Sequence, residues 1–202
     1  SFNVGLGFNA LTSNTVANNN VAVGTGSQFA TTTGSQNTSV GNFALDANTT
    51  ASNNTAVGYN SLIANTTGSP NTAVGSGSLR DNTTGEDNTA VGFNSLVANT
   101  TGTDNTSVGH GALDANSTAS NNTAVGSLAL STNTTGAGNV AVGYNAGLSQ
   151  TTANYNTLVG GAAADNLTTG AANVAVGFHA LGAVTTTSNH TAVGYTALSQ
   201  CT

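Results

Sequence analysis

One glycine returns every 17 residues along the chain: Gly7, Gly24, Gly41, Gly58, Gly75, Gly92, Gly109, Gly126, Gly143, Gly160, Gly177 and Gly194. The twelve copies follow one another without insertion or deletion. A unit this short cannot bury an apolar face by itself. A strict period of this kind therefore means that each repeat is one coil stacked on the last. The repeat covers the 202 residues, which read as one elongated domain, 1–202, and not as separate globular units. With the Asn that opens each copy as position 1, the coils span 3–19, 20–36, 37–53, 54–70, 71–87, 88–104, 105–121, 122–138, 139–155, 156–172, 173–189 and, in part, 190–202.

The consensus is N-T-A-V-G-x-x-A-L-x-x-N-T-T-G-x-x. Two glycine positions, β-branched Thr and Val, and Asn all oppose a helix. The run N-T-A-V is short, β-prone and closed by Gly, as a strand should be. A second short strand is expected over the A-L pair at positions 8 and 9. The N-T-T-G stretch is expected to turn, with its Gly taking positive φ. Together these features predict an all-β chain, a parallel β-solenoid (β-roll or β-helix) of twelve 17-residue coils. Stacked strands at the usual spacing of about 4.8 Å give a rod roughly 55–60 Å long.

In-register stacking sets identical side chains over one another. Asn20, Asn37, Asn54, Asn71, Asn88, Asn105, Asn122, Asn139, Asn156 and Asn173 would form an amide ladder, each amide donating to and accepting from its neighbours. The Thr positions would do the same more weakly. Positions 3 and 4 of a strand point to opposite faces. Either Val is inside and Ala outside, or Ala fills a tight interior and Val forms an apolar outer stripe that needs a partner. Both arrangements favour self-association.

Charged residues make up 4% of the chain, there is no Lys, and Arg80 is the one Arg. With net charge -6 such a surface does not neutralise phosphates, so nucleic-acid binding and anionic membrane surfaces are disfavoured. Residues 1–20 lack a basic start and an apolar run, and no stretch reaches the ~18 apolar residues of a membrane span, so no membrane insertion is expected. The single Cys201 forms no internal disulfide.

No arrangement suggests catalysis or a cofactor. His110, His179 and His190 occupy different positions and do not converge on one metal. No acid and His face each other from neighbouring coils, so no Ser-His-Asp set is expected. Asp87 and Asp104 share position 17 of adjacent coils beside Glu86 and are the one candidate, a weak one, for Ca2+. Solvated turn carboxylates explain them more simply. Sequons at Asn48, Asn65, Asn82 and Asn99 would place a crowded row of glycans at position 12 in a glycosylating cell. Aromatics gather at position 6 as Phe8, Tyr59, Phe93, Tyr144, Phe178 and Tyr195. They read as packing at a coil corner or chain interface, or as a stacking surface for sugars.

The run N-T-A-V-G-x-x-A-L, as in Asn54 to Gly58, Asn88 to Gly92 and Asn122 to Gly126, resembles the YadA-like heads of trimeric autotransporter adhesins. It is also similar to Asn-Thr-Gly repeats of phage and virus tail fibres. The resemblance implies a left-handed parallel β-roll, three chains around one axis and a role in surface attachment. The 17-residue period is longer than that of the usual head repeat.

Three functions compete. The first is a non-enzymatic extracellular fibre or filament segment, on a cell or virion surface, that self-associates as a homotrimer or head to tail. The phase of Ser1 and Thr202 leaves a two-residue gap for a following copy. The second is a receptor-binding adhesin whose variable positions 6, 7 and 10 recognise surface glycan or matrix. The third is an ice-binding solenoid, suggested by the Thr rows. It requires Thr on one flat face, whereas adjacent Thr66 and Thr67 point apart in an extended strand.

Overall fold

The computed structural model describes residues 2–200; Cys201 lies outside them. Twelve strands, from β1 (Val4–Leu6) to β12 (Thr191–Val193), form one parallel sheet in sequential order. Each strand has three or four residues and lies in the N-T-A-V run, as expected. The central pair, β5 (Asn71–Val74) and β6 (Asn88–Val91), matches Asn71 to Asn88, Thr72 to Thr89, Ala73 to Ala90 and Val74 to Val91. Every ladder therefore joins equivalent positions of consecutive coils, and the chain is a β-solenoid.

The interior is lined by small residues. Ala56, Ala73 and Ala90 at position 3 are fully buried, while Val57, Val74 and Val91 at position 4 stay partly exposed. This decides between the two faces: Ala is inside and Val outside. The reason is the thinness of the coil. The strand backs directly onto the Ala or Ser of position 8 and the Leu of position 9, so Ser95 Oγ donates to Ser107 Oγ at 2.7 Å from the next coil. Leu45, Leu62, Leu79, Leu96, Leu113 and Leu130 fill what remains. One exception shows how tight the fit is. Leu158 takes the inward position usually held by Ala, and position 9 shrinks to Gly147 and Ala164 in that coil and the preceding one. A Cβ on Gly147 would press against Leu158 and Leu130, so the bulk added at position 3 is offset by smaller residues at position 9.

The A-L pair is not a second strand. Positions 7 and 9 are left-handed in coil after coil, as in Asn60 (φ 55), Leu62 (φ 52), Asn94 (φ 51) and Leu96 (φ 54). Alternation of left-handed residues folds this segment into linked turns, with Ser61 N–H donating to Gly58 O and Asn65 N–H to Leu62 O. Coil-to-coil bonds persist here, for example Leu62 N–H to Ser78 O at 3.1 Å. The backbone is thus satisfied without a strand.

The N-T-T-G turn also differs from expectation. The left-handed residue lies at position 17, as in Asn53 (φ 62), Asp87 (φ 54) and Asp104 (φ 58), and not at the Gly of position 15. Gly is used at position 15 for clearance: a Cβ on Gly85 would meet the Gly102 carbonyl and the Asn82 side chain.

Candidate functional site

The twelve periodic glycines form a stack along one edge of the sheet. Gly92 has φ +137, and a Cβ there would collide with the backbone of Gly109. The same relation holds from Gly7 to Gly24 and on to Gly177 with Gly194, so these residues set the distance between coils.

The position-1 asparagines form a ladder of a different kind from the one expected. Each side-chain oxygen accepts the backbone N–H of the next residue of the row, as from Asn37 to Asn20 Oδ1 at 2.8 Å, from Asn173 to Asn156 Oδ1 at 2.8 Å and, at the end, from His190 to Asn173 Oδ1 at 2.9 Å. Nδ2 closes its own coil, from Asn88 to Gly102 O at 2.9 Å and from Asn156 to Gly170 O at 3.0 Å. Direct amide-to-amide bonds join Asn88 to Asn71, Asn105 to Asn88 and Asn139 to Asn122. Asn54 and Asn122 complete the chain of acceptors. The bonds stitch coil to coil and also staple each coil across its width.

The continuous amide ladder lies at position 12. Asn82 Nδ2 donates to Asn65 Oδ1 at 2.9 Å, Asn99 to Asn82 at 2.8 Å and Asn116 to Asn99 at 2.9 Å. Asn48, Asn65, Asn82 and Asn99 are 0% exposed. The sequon reading is overturned: these nitrogens are committed inside the coil and present nothing to which a sugar can be attached. At position 13 the Thr hydroxyls add a third ladder, with Thr66 and Thr83 each donating to the next coil's carbonyl at 3.0 Å.

The outer face of the sheet is formed by positions 2 and 4. Thr55, Thr72, Thr89, Thr106 and Thr123 run beside Val57, Val74, Val91, Val108 and Val125, all half-buried, and neither row contains a charged residue. The apolar outer stripe foreseen as one alternative is therefore present.

The position-6 aromatics project outward, with Tyr59 56% and Phe93 53% exposed and Tyr144, Phe178 and Tyr195 also exposed. Stacking is local. Phe178 lies on Tyr195 (5.6 Å, 15°) and Phe93 on His110 (5.6 Å, 9°). Ser76, Ser127 and Gly161 interrupt the row.

Asp87 and Asp104 are exposed at equivalent turn positions, joined through the backbone by Asp104 N–H to Glu86 O at 3.1 Å. With Glu86 they form no cluster suited to a metal, and among the described residues no group of three His, Cys, Asp or Glu does. One acid and one His do meet across coils, contrary to expectation: His179 Nδ1 lies 3.4 Å from Asp165 Oδ1. Position 10 of one coil approaches position 7 of the next because the turns of positions 5–12 fold side by side.

Sequence reasoning missed a concavity in the first three coils. Phe8, Asn9, Thr25, Gly26, Phe29, Phe43 and Asp46 line a groove of about 360 Å³. All seven come from positions 6, 7 and 10, the variable positions of the repeat. Burial pushes the Asp46 carboxyl above its ordinary value. Asp114, also at position 10, is raised by burial too, but backbone hydrogen bonds and the nearby His110 oppose the rise. The signal available in the sequence was Gly26, a side chain missing beside three Phe.

Compared with protein-family models, with curated proteins and with solved structures, the chain matches none.

Proposed function

We propose that the chain is a non-enzymatic shaft segment of an extracellular fibre or filament, displayed on a cell or virion surface, that packs side by side with copies of itself. The observation that carries this reading is the outer face of the sheet. It presents, at position 2, an uncharged row of Thr and Val and, at position 4, a row that is Leu6 in the first coil and Val in every later one, all partly or fully exposed. A contiguous apolar stripe of that length is costly in water and calls for a partner. A second copy offers the same repeat and the same spacing, so each Val meets an equivalent surface. Three copies around one axis would close such an association without leaving a free stripe. The resemblance to trimeric adhesin heads and tail fibres supports the same arrangement, and the exposed aromatics of position 6 would then face outward for adhesion.

Light scattering on the purified chain, with electron microscopy, tests the proposal. A mass of three chains or long filaments is expected. Val91→Lys with Val108→Lys should return the mass to one chain without changing the circular dichroism. A wild-type chain that stays monomeric at high concentration would overturn the reading.

A second reading has its own observation. Thr of position 2 and Val of position 4 share one face of the sheet and repeat in register from coil to coil, the kind of regular array that ordered water at an ice surface would require. Thr66 and Thr67, at positions 13 and 14, lie outside the strands that form this face. Thermal hysteresis from a monomeric chain, lost in the same Lys variants, would favour it over the fibre.

A further inference from the structure

The groove of the first three coils brings together side chains from three successive turns. Phe8 comes from the first coil, Phe29 from the second and Phe43 from the third, and Asp46 lies among them. Tyr59 packs edge-on against Phe43 (6.5 Å, 75°) and fixes that ring from the far side. The space exists because position 7 of the second coil is Gly26. A Cβ there would collide with the Phe43 ring and come within 3.3 Å of Asp46 Oδ1.

The charge balance singles out Asp46. Arg80, the chain's one Arg, is engaged by Asp81 through two 2.7 Å contacts, and there is no Lys. The other position-10 acids have a basic neighbour, His110 for Asp114 and His179 for Asp165. Asp46 has phenyl rings and Gly26 around it, and no basic residue lines the groove. A partly desolvated carboxylate without a counter-charge is unfavourable, and a cation entering the groove relieves it. Aromatic faces attract the same kind of ligand through their quadrupole. A sugar is a poorer fit, because Asn9 and Thr25 could partner some of its hydroxyls but would leave the Asp46 carboxylate without a counter-charge. A neutral apolar ligand would leave the carboxylate unpaired.

We propose that Phe8, Phe29, Phe43 and Asp46 form a binding site for an organic ammonium cation, with the alkylated nitrogen among the rings and the Asp46 carboxylate as its counter-charge. The site is independent of the fibre reading, since it uses positions 6, 7 and 10 and leaves the Thr/Val face free.

The test is a titration of the full chain with choline chloride and, separately, with 3,3-dimethylbutan-1-ol, its neutral isostere, followed by calorimetry and ligand-observed NMR. Choline should bind about tenfold more tightly than the isostere or better, the range expected for a cation held by rings and a carboxylate. Gly26→Leu should abolish binding by filling the groove. Leu128 shows that the equivalent left-handed backbone position (φ 59) takes a Leu, so the change requires the Phe43 ring to move aside, and a retained cooperative melt checks that the rod still folds. Asp46→Asn should weaken choline and leave the isostere unaffected. Equal affinity for the two ligands, no choline binding, or choline binding that survives Gly26→Leu would each overturn the proposal.

Discussion

The side-chain oxygen of Asn71 accepts the backbone N–H of Asn88, one coil further on, at 3.0 Å. Asn88 repeats the service for Asn105 at 3.1 Å, and its Nδ2 reaches the Gly102 carbonyl at 2.9 Å. Both ends of this side chain are thus used, one between coils and one across its own coil. Asn88→Ala removes both of these bonds, together with the side-chain bonds to Asn71 and from Asn105, and leaves the Asn105 backbone N–H and the Gly102 carbonyl without these partners. Each buried group left unpaired costs about 1–3 kcal/mol, so a loss of roughly 2–4 kcal/mol is expected. Denaturant unfolding followed by circular dichroism measures it. A loss below about 0.5 kcal/mol would mean that water or a shifted neighbour replaces the amide.

Gly92 and Gly194 separate two reasons for the periodic glycine. Both have φ well inside the left-handed half of the map, +137 and +130. A Cβ on Gly92 strikes the backbone of Gly109, whereas one on Gly194 meets, among the described residues, Ala197 Cβ alone, at 3.8 Å. Gly194→Ala therefore bears conformational strain with no clash between coils among the described residues, on the order of 1–3 kcal/mol. Gly92→Ala bears that strain and also forces two coils apart. Thermal melts of the two variants should show Gly92→Ala several degrees lower. Equal melting points would show that strain, and not clearance between coils, selects glycine at this position.

These relations explain what the repeat reveals and what it hides. The strand was legible because Thr72-Ala73-Val74 alternates and ends in Gly75, and because a 17-residue period dictates in-register pairing. The turn through Leu62 was not. Leu has no preference for positive φ, and an Ala-Leu or Ser-Leu pair looks like a piece of strand. Only the stacked coil reveals that a left-handed Leu62 (φ 52) sends its side chain into the core while its N–H still finds Ser78 O. The side taken by Ala73 and Val74 was likewise open, since alternation fixes that they oppose one another but not which is inside. The width of the interior settles it, and that width is a property of the closed coil. The groove at Asp46 was hidden for a related reason: Phe8, Phe29 and Phe43 are far apart in sequence and meet only when three coils stack.

Position 12 leads to a prediction about modification. Asn82 is fully buried, donates to Asn65 Oδ1 at 2.9 Å and to Gly85 O at 3.0 Å, and accepts from Asn99 at 2.8 Å. A glycan on Asn82 would occupy the space of these bonds and prevent the coil from closing. Folded protein secreted from a glycosylating host should therefore carry no sugar on Asn48, Asn65, Asn82 or Asn99, despite the sequons. Peptide mass spectrometry of the folded fraction checks this. Substantial occupancy at any of the four would contradict the buried amide ladder.

The acids of position 10 give the rod an unusual response to pH. Burial raises the carboxyl of Asp46, and that of Asp114, above the ordinary value of 3.8. Between that value and the raised one, the folded chain binds protons that the unfolded chain does not. Stability therefore falls as pH rises through this window and is regained on acidification. The direction is opposite to that of a salt-bridged carboxylate, whose contribution is lost in acid. Lowering the pH from neutral toward about 4 should raise the melting temperature of the wild-type chain. Asp46→Asn should raise stability at neutral pH and flatten the dependence, because desolvation is the one cause of its shift. Asp114→Asn should gain less, since backbone hydrogen bonds to its carboxylate and the charge of His110 favour the ionised form it would lose. Melting curves across the acid range for the three proteins provide the check. A wild-type melting temperature that declines steadily with acid, unchanged in slope by Asp46→Asn, would show that neither carboxylate is held against its charge.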